Sequence, residues 1–194
     1  MATTNPATPT TSAARERLLD AAQRVFYREG IHAVGVDRVI DEAQVTRATF
    51  YRHFPSKQDL VVAYLQREND QIRALFDSAA AQSDEPRELL EATVAGLAQD
   101  VAEHHTRGCP FINASAEFPD AGHPVRQLVR EHRDWFRGAL EHLLTQAGAD
   151  DPVGRAATLV LLRDAALVGG YLDGPQTVVP AFTRAARTAA GLTH

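Results

Sequence analysis

Apolar residues recur along most of this chain at intervals of three and four, the repeat that gives a helix one apolar face, while strand-like alternation is scarce. Leu18, Ala22, Val25 and Phe26 form such a stripe in a first helix, which Ser12 can cap and which stops near Glu29 at Gly30. Val36, Val39, Ile40 and Ala43 predict a second, short helix, and Gln44 and Val45 a tight turn. Thr46 can cap a third helix in which Ala48, Phe50, Tyr51 and Phe54 follow, with Phe50 and Phe54 four apart on one face and Arg47, Thr49, Arg52 and His53 on the other. Pro55 ends it, because proline disfavours a helical residue before it. Ser56 opens a fourth helix, with Asp59 three residues on in a capping-box arrangement.

The same repeat carries on to the end of the chain. Leu60, Val61, Tyr64, Leu65, Ile72, Leu75 and Phe76 supply the inner face of the fourth helix, to about residue 81. After a break at residues 82–86 a fifth helix spans about 86–105, with Leu89, Leu90, Val94, Leu97 and Val101 inside. A short sixth helix starts near Pro110, and Pro124 suits the first position of a seventh over residues 124–146. Asp151-Pro152 opens an eighth, to about residue 172, that is apolar nearly all round: Ala156, Leu159, Val160, Leu162, Ala165, Ala166 and Val168. Such a helix needs burial on more than one side. A ninth is predicted from about Pro180 after a turn at Pro175, with Ala181, Phe182, Ala185, Ala186 and Ala189 on one face. The expected architecture is all-α, about nine helices. Little apolar surface remains to cover helices eight and nine, so they are expected to pack against their copies in a two-fold homodimer; the alternative is that helices five and seven cover them.

Composition and charge refine this picture. A length of 194 residues, 44% apolar and 23% charged, suits one or two domains with a core. No run is long enough to span a membrane. Residues 1–12, rich in Thr, Pro and Ala, lack the basic start and apolar centre of a secretory signal and read as a disordered arm. A single cysteine, Cys109, fits a reducing cytoplasm. The net charge of −5 divides unevenly: residues 1–57 carry eight basic and six acidic side chains, a net +2, and the remainder −7. Positive charge therefore sits in the segment that holds the two short helices, where phosphates would be met.

Two short helices joined by a tight turn, the second displaying Arg, Thr, Tyr and His, fit a helix-turn-helix, whose second helix enters the major groove. The run Ala-Thr-Phe-Tyr-Arg-His-Phe-Pro-Ser-Lys at 48–57, behind a basic amphipathic helix, resembles the TetR family of bacterial transcription regulators, strongly over residues 13–60. Residues 107–118, with Gly-Cys-x-x-x-Asn and a following Glu, resemble one branch of that family. The resemblance implies a helix-turn-helix DNA-binding domain at 13–57 and a helical effector-binding and dimerisation domain at 58–194. Arg47 and Ala48, at the exposed start of the recognition helix, are candidates for base edges, since an Arg can bond two guanine acceptors and an Ala methyl can touch thymine. Thr46, Thr49, Tyr51, His53 and Lys57 are candidates for phosphates; the alternative for each is a solvated surface residue. Arg15 and Arg17 could reach a phosphate or form a solvated first turn. Two positions depart from the family. Gly35-Val36 replaces a phosphate-binding Thr, leaving Asp37 as a cap, and Gln44 replaces a Gly that suits a left-handed turn.

The resemblance also implies an effector cavity among helices four to eight. Candidates to line it are Tyr64, Phe76, Val101, His105, Phe111, Asn113, Phe118, Trp135, Phe136, Arg163 and Asp164, with Glu117 a further polar group; the polar members could equally be satisfied core groups. His104, His105, Cys109 and His123 match no usual zinc spacing, and Cys109 reads as a buried thiol or a redox sensor. With no nucleophile–base pair, phosphate loop or metal triad, neither enzyme nor cofactor is expected. The resulting expectation is a ligand-responsive regulator, a repressor that binds near-palindromic operator DNA as a homodimer and is released by an unknown small molecule. The alternative is a ligand-binding or protein-interaction module without DNA binding.

Overall fold

The computed structural model describes residues 12–81 and 83–192; the arm expected over residues 1–12 lies, but for Ser12, outside them. The described residues form helices α1 (Ala13–Glu29), α2 (Val36–Ala43), α3 (Arg47–His53), α4 (Lys57–Ala80), α5 (Pro86–Gln99), α6 (Pro110–Glu117), α7 (Pro124–Gln146), α8 (Pro152–Asp173) and α9 (Pro175–Ala189), with no strand among them. None is long and apolar enough to cross a membrane. The chain divides into two compact units, Met1–Tyr64 and Leu65–His194, so the division falls inside α4.

The first unit closes around the predicted stripes. Leu18, Ala22, Val25 and Phe26 of α1 are buried with Val39, Ile40 and Ala43 of α2, Phe50 of α3, Phe54, and Leu60, Val61 and Tyr64 of α4. Phe50 is fully buried, which fixes the rotation of α3 and turns its opposite side to solvent. The turn before α3 is a Schellman closure: Gln44 N–H donates to the Asp41 carbonyl (3.2 Å) and Val45 N–H to that of Ile40 (3.3 Å). This closure requires a left-handed residue, and Gln44 adopts φ 51°, ψ 50°. Thr46 caps α3 by accepting from Thr49 N–H at 3.2 Å, and Ser56 accepts from Asp59 N–H at 3.2 Å.

Four expectations are corrected. Ser12 occupies the N-cap of α1 without a side-chain cap bond; its hydroxyl lies 3.4 Å from His53 Nε2 instead. Asp37 does not cap α2, whose N-cap is Gly35; its carboxylate pairs with Arg47. Phe54 is the extended residue after α3, not part of it, as expected for the position before Pro55. The last helix starts at Pro175, five residues earlier than predicted, with Pro180 inside it. Gly174, at φ 86°, supplies the break, and Pro175 occupies the first turn, where a missing N–H costs nothing.

In the second unit α8 packs on α7 and α9, and α9 also on α5. The predicted fifth helix runs as α through Gln99 and then as a π-helical stretch, Asp100–His104, in which His105 N–H reaches back to the Asp100 carbonyl at 3.1 Å. This widened turn carries Val101 against α8, where a Cβ on Gly170 would come within 3.0 Å of Val101 Cγ1. Ala156, Leu159, Val160, Ala166 and Leu167 bury one side of α8. Its other side stays open: Val153, Leu161, Val168 and Leu172 are 57%, 68%, 42% and 70% exposed, spaced so that they share one face.

Candidate nucleic-acid interface and interior cluster

The outer side of α3 presents a compact polar surface. Thr46, Arg47, Ala48, Tyr51 and Arg52 are exposed, and Thr49, His53 and Lys57 half-buried. Arg47 is held in an exposed ion pair with Asp37 of α2, a contact worth at most about 1 kcal/mol in water and therefore exchangeable. Tyr51 packs its ring edge-on against buried Phe50, centroids 5.1 Å apart, which fixes the ring while leaving it 45% exposed. The Thr46 hydroxyl is spent on the α3 cap and on the Thr49 hydroxyl at 2.9 Å. Of the two arginines weighed on α1, Arg17 donates Nε–H to the Ala43 carbonyl at 3.3 Å, tying α1 to the end of α2, and Arg15 lies over the Phe54 ring at 5.3 Å. Arg38 bridges Glu29 and Glu42, whose carboxyls are held below their ordinary pKa, first by hydrogen bonds from Arg28 and Arg38 respectively. These ion pairs stiffen the α1–α2 base on which α3 is mounted.

Several of the residues proposed for an effector cavity gather in the second unit, and Tyr64 stands apart in the first. Phe76, Trp135 and Phe136 meet edge to face, Phe76 being 5.5 Å from Trp135 and 5.7 Å from Phe136. Phe111 of α6 stacks flat on His132 of α7 at 3.8 Å and 7°, and His132 lies parallel to Phe136 at 6.3 Å. Asp164 accepts from Arg133 at 2.7 Å. Asn113 and Phe118 go elsewhere: Asn113 Nδ2 donates to the Arg107 carbonyl at 3.1 Å and ties down the loop before α6, while Phe118 stacks on His123 at 4.5 Å. Val101 is buried on the π-helical stretch, Glu117 ends α6, and Cys109 is a buried free thiol.

His105 bonds Asp100 through Nδ1 at 2.6 Å, with Glu68 3.8 Å from Nε2. Burial disfavours its charge, but the hydrogen bonds to Asp100 and Glu68 outweigh that and raise its pKa to about 9. His132 behaves oppositely. Burial first, then Arg163, Arg133 and Arg73, push it down to about 3, so it is a neutral ring. Among the described residues no three His, Cys, Asp or Glu side chains gather so as to hold a metal ion.

His132, Glu68 and Asn69 are buried polar groups that the sequence reading did not single out. A signal for them exists. Each stands where the apolar stripe of its helix would place a hydrophobic residue: Glu68 and Asn69 after Leu65, and His132 between Val129 and Phe136. Asn69 Oδ1 joins the two helices, meeting His132 Nδ1 at 3.0 Å and Arg73 Nε at 3.3 Å.

Comparison with known proteins agrees with the architecture. Residues 18–64 match the family model described as bacterial regulatory proteins, tetR family, and residues 86–158 that of the tetracyclin repressor-like C-terminal domain. The crystal structure of a TetR-family transcriptional regulator from Streptomyces coelicolor is 43% identical, with a TM-score of 0.87 over 92% of this chain and 94% of that one. The HTH-type transcriptional activator FasR of Mycolicibacterium smegmatis is 37% identical over 98 residues, which is 50% of this chain and 44% of FasR. The HTH-type transcriptional repressor KstR of the same organism is 36% identical over 108 residues, 53% of each chain. The chain thus spans about half the length of these two curated relatives. With both family models matched in order and a relative aligned along nearly its whole length, the chain belongs to the TetR family of bacterial regulatory proteins.

Proposed function

We propose that this protein is a ligand-responsive, DNA-binding transcriptional regulator: a repressor that holds a near-palindromic operator as a homodimer and lets go when a small molecule binds its C-terminal unit. The observation that carries the reading is α3. Phe50 is sunk in the core, so Arg47, Ala48, Tyr51 and Arg52 face outward together at the start and along the side of a short, capped helix. An α-helix fits the major groove, where an Arg can take guanine O6 and N7 together. Arg47 and Ala48 read base edges in this proposal, and Thr46, Thr49, Tyr51, His53 and Lys57 meet phosphates.

The homodimer reading rests on α8. Val153, Leu161, Val168 and Leu172 leave an apolar stripe along its length that α7 and α9 do not cover. A two-fold partner laying its own α8 and α9 against this stripe would cover both copies at once. The dimer would present recognition helices to half-sites roughly 34 Å apart, one helical turn of DNA. A ligand shifts the equilibrium away from the DNA-binding conformer only by its difference in affinity for the two states. A repressor role is chosen because release by a ligand is the simplest use of such a switch; the relatives include both an activator and a repressor. A mobility-shift assay with the DNA upstream of the protein's own gene tests the proposal. Retardation that weakens steeply with salt is expected, and no retardation at low salt refutes it.

A further inference from the structure

Of the polar groups in the second unit that bury an atom with no hydrogen-bond partner among the described residues, two stand against one aromatic ring. The first is His132 Nε2. Arg73 can only donate, so the Asn69 atom facing it at 3.3 Å is the carbonyl oxygen. The same oxygen faces His132 Nδ1 at 3.0 Å, so Nδ1 must carry the ring proton and donate it. In a neutral imidazole this leaves Nε2 a bare acceptor, and it is buried with no hydrogen-bond partner among the described residues. The second is Arg163, 3% exposed on the inner side of α8. Its Nη1 donates to the Cys109 sulfur, a weak acceptor, at 3.8 Å, and its guanidinium lies over the Phe136 ring at 5.1 Å. Asp164 gives one oxygen to Arg133 and holds the other 3.7 Å from Arg163, beyond hydrogen-bond length. Arg163 Nε–H has no partner among the described residues.

A bare acceptor and a bare cationic donor thus flank the same ring, Phe136. Burying an unsatisfied charge is costly, and Arg163 is the charge that acts most strongly on His132. Around them stand the faces and edges of Phe111, Trp135 and Phe76. His132 and Asn69 also wall a cleft of about 300 Å³ between α4 and α7, shared with Asp70, Arg73 and Glu131; Arg163 and the phenylalanine rings lie behind His132 and do not line it. A cation placed against the Arg163 guanidinium would oppose its charge. A neutral apolar compound would leave both groups unsatisfied.

We propose that Arg163 and His132 are the recognition pair of the effector site, and that the effector is a small organic acid bearing a hydroxyl. Its carboxylate accepts from the Arg163 guanidinium, its hydroxyl donates to His132 Nε2, and its hydrocarbon part lies among the aromatic rings. The inference rests on the effector-responsive reading given above and names the chemistry of that site.

The test uses the full chain, thermal melting, and release of operator DNA followed by fluorescence anisotropy. Four small probes that share a phenyl ring and differ in polarity are compared: mandelate, phenylacetate, benzyl alcohol and benzylamine. Mandelate raises the melting temperature most and releases DNA; phenylacetate, lacking the hydroxyl, binds about tenfold more weakly; the alcohol and the amine do neither. His132→Phe removes the preference for mandelate over phenylacetate. Arg163→Met abolishes the response to both acids without lowering the melting temperature of the free protein, because it removes a buried charge that lacks a hydrogen-bonded counterion. Arg163→Lys restores part of the response. A purely structural Arg163 gives the reverse: a Met variant that melts early and still responds to the acids, which overturns the proposal. Release by the amine or the alcohol in preference to the acids also overturns it, while leaving the effector reading intact. If the protein holds its operator and none of the four classes releases it or shifts the melt, the effector reading falls and this inference with it.

Discussion

The open face of α8 yields the sharpest prediction. Leu161 lies at the middle of the stripe and is 68% exposed in the single chain. Fully burying a leucine side chain is worth about 1.5–3 kcal/mol, so covering the exposed two-thirds is worth about 1–2 kcal/mol. A two-fold interface contains the residue twice, which makes the loss on Leu161→Ala about 2–4 kcal/mol of association energy, or roughly 30-fold to nearly 1,000-fold in dimer Kd. The alanine retains its Cβ, which favours the lower end. Leu75 on α4 is 70% exposed and lies off the stripe, so Leu75→Ala controls for the general effect of removing an exposed leucine. Sedimentation velocity over a range of protein concentrations reads the dimer Kd directly. Operator binding at nanomolar protein follows it, because a monomer reaches only one half-site. Equal behaviour of the two variants, or a wild-type chain that is monomeric at micromolar concentration, refutes the assignment of this face.

Three further outcomes are expected. Gln44→Gly relieves a left-handed non-glycine residue and raises stability by about 0.5–1 kcal/mol after the extra chain entropy of glycine is set against it; Gln44→Ala gains nothing, and urea titration at constant m-value distinguishes them. Arg47→Ala loses discrimination at one base position by about 1–3 kcal/mol, whereas Lys57→Ala weakens all sequences alike and lowers the salt slope by about one; anisotropy titrations with operator and scrambled DNA separate the two. Stability peaks near neutral pH. The charged His105, with its folded pKa raised to about 9, contributes fully below the unfolded value and loses that contribution as pH climbs toward 9. His132, depressed to about 3, takes up its proton more readily when unfolded, so stability also falls as pH drops below about 6.5. Denaturation as a function of pH checks this, with His105→Gln expected to flatten the alkaline side.

The helices of the first unit were legible because their signals are local and do not conflict. The stripe of α1 ends at a glycine, Thr46 caps α3 directly, and Pro55 stops it. Pro124 and Pro152 mark α7 and α8 in the same way. The ninth helix was displaced because Pro175 and Pro180 each look like a first-turn proline, and nothing local decides between them. The structure keeps Pro180 inside the helix: continuing from Pro175 adds a turn that sets Val178 against Gly169 of α8. The π-helical stretch left no mark in the pattern, since one extra residue in a turn alters neither composition nor the apolar repeat. The interior cluster was half legible. Phe111, Trp135, Phe136 and Arg163 are legible as candidates, but His132, the histidine that stacks on Phe111, is not. A polar residue on an apolar stripe says that a partner exists; only the fold says that the partner is Asn69, on another helix.

The pairing of Arg47 with Asp37 bears on how the family pattern is varied here. The connector before α2 lacks a hydroxyl for phosphate, having Gly35-Val36 instead, and the adjacent Asp37 carries a negative charge on the side where DNA would approach. Taken alone, that carboxylate repels phosphates. The free protein neutralises Asp37 with Arg47, the side chain proposed to read bases, and holds that side chain close to the start of α3. In the proposed complex, binding exchanges an exposed ion pair for a bidentate contact to guanine. The pair is worth at most about 1 kcal/mol, and a bidentate contact about 1–3 kcal/mol of discrimination. The exchange is favourable on the correct base and unfavourable by up to about 1 kcal/mol on a wrong one. An acidic residue beside the recognition helix thus weakens non-specific binding and leaves specific binding in surplus, which is the direction a regulator searching a large excess of wrong sites requires.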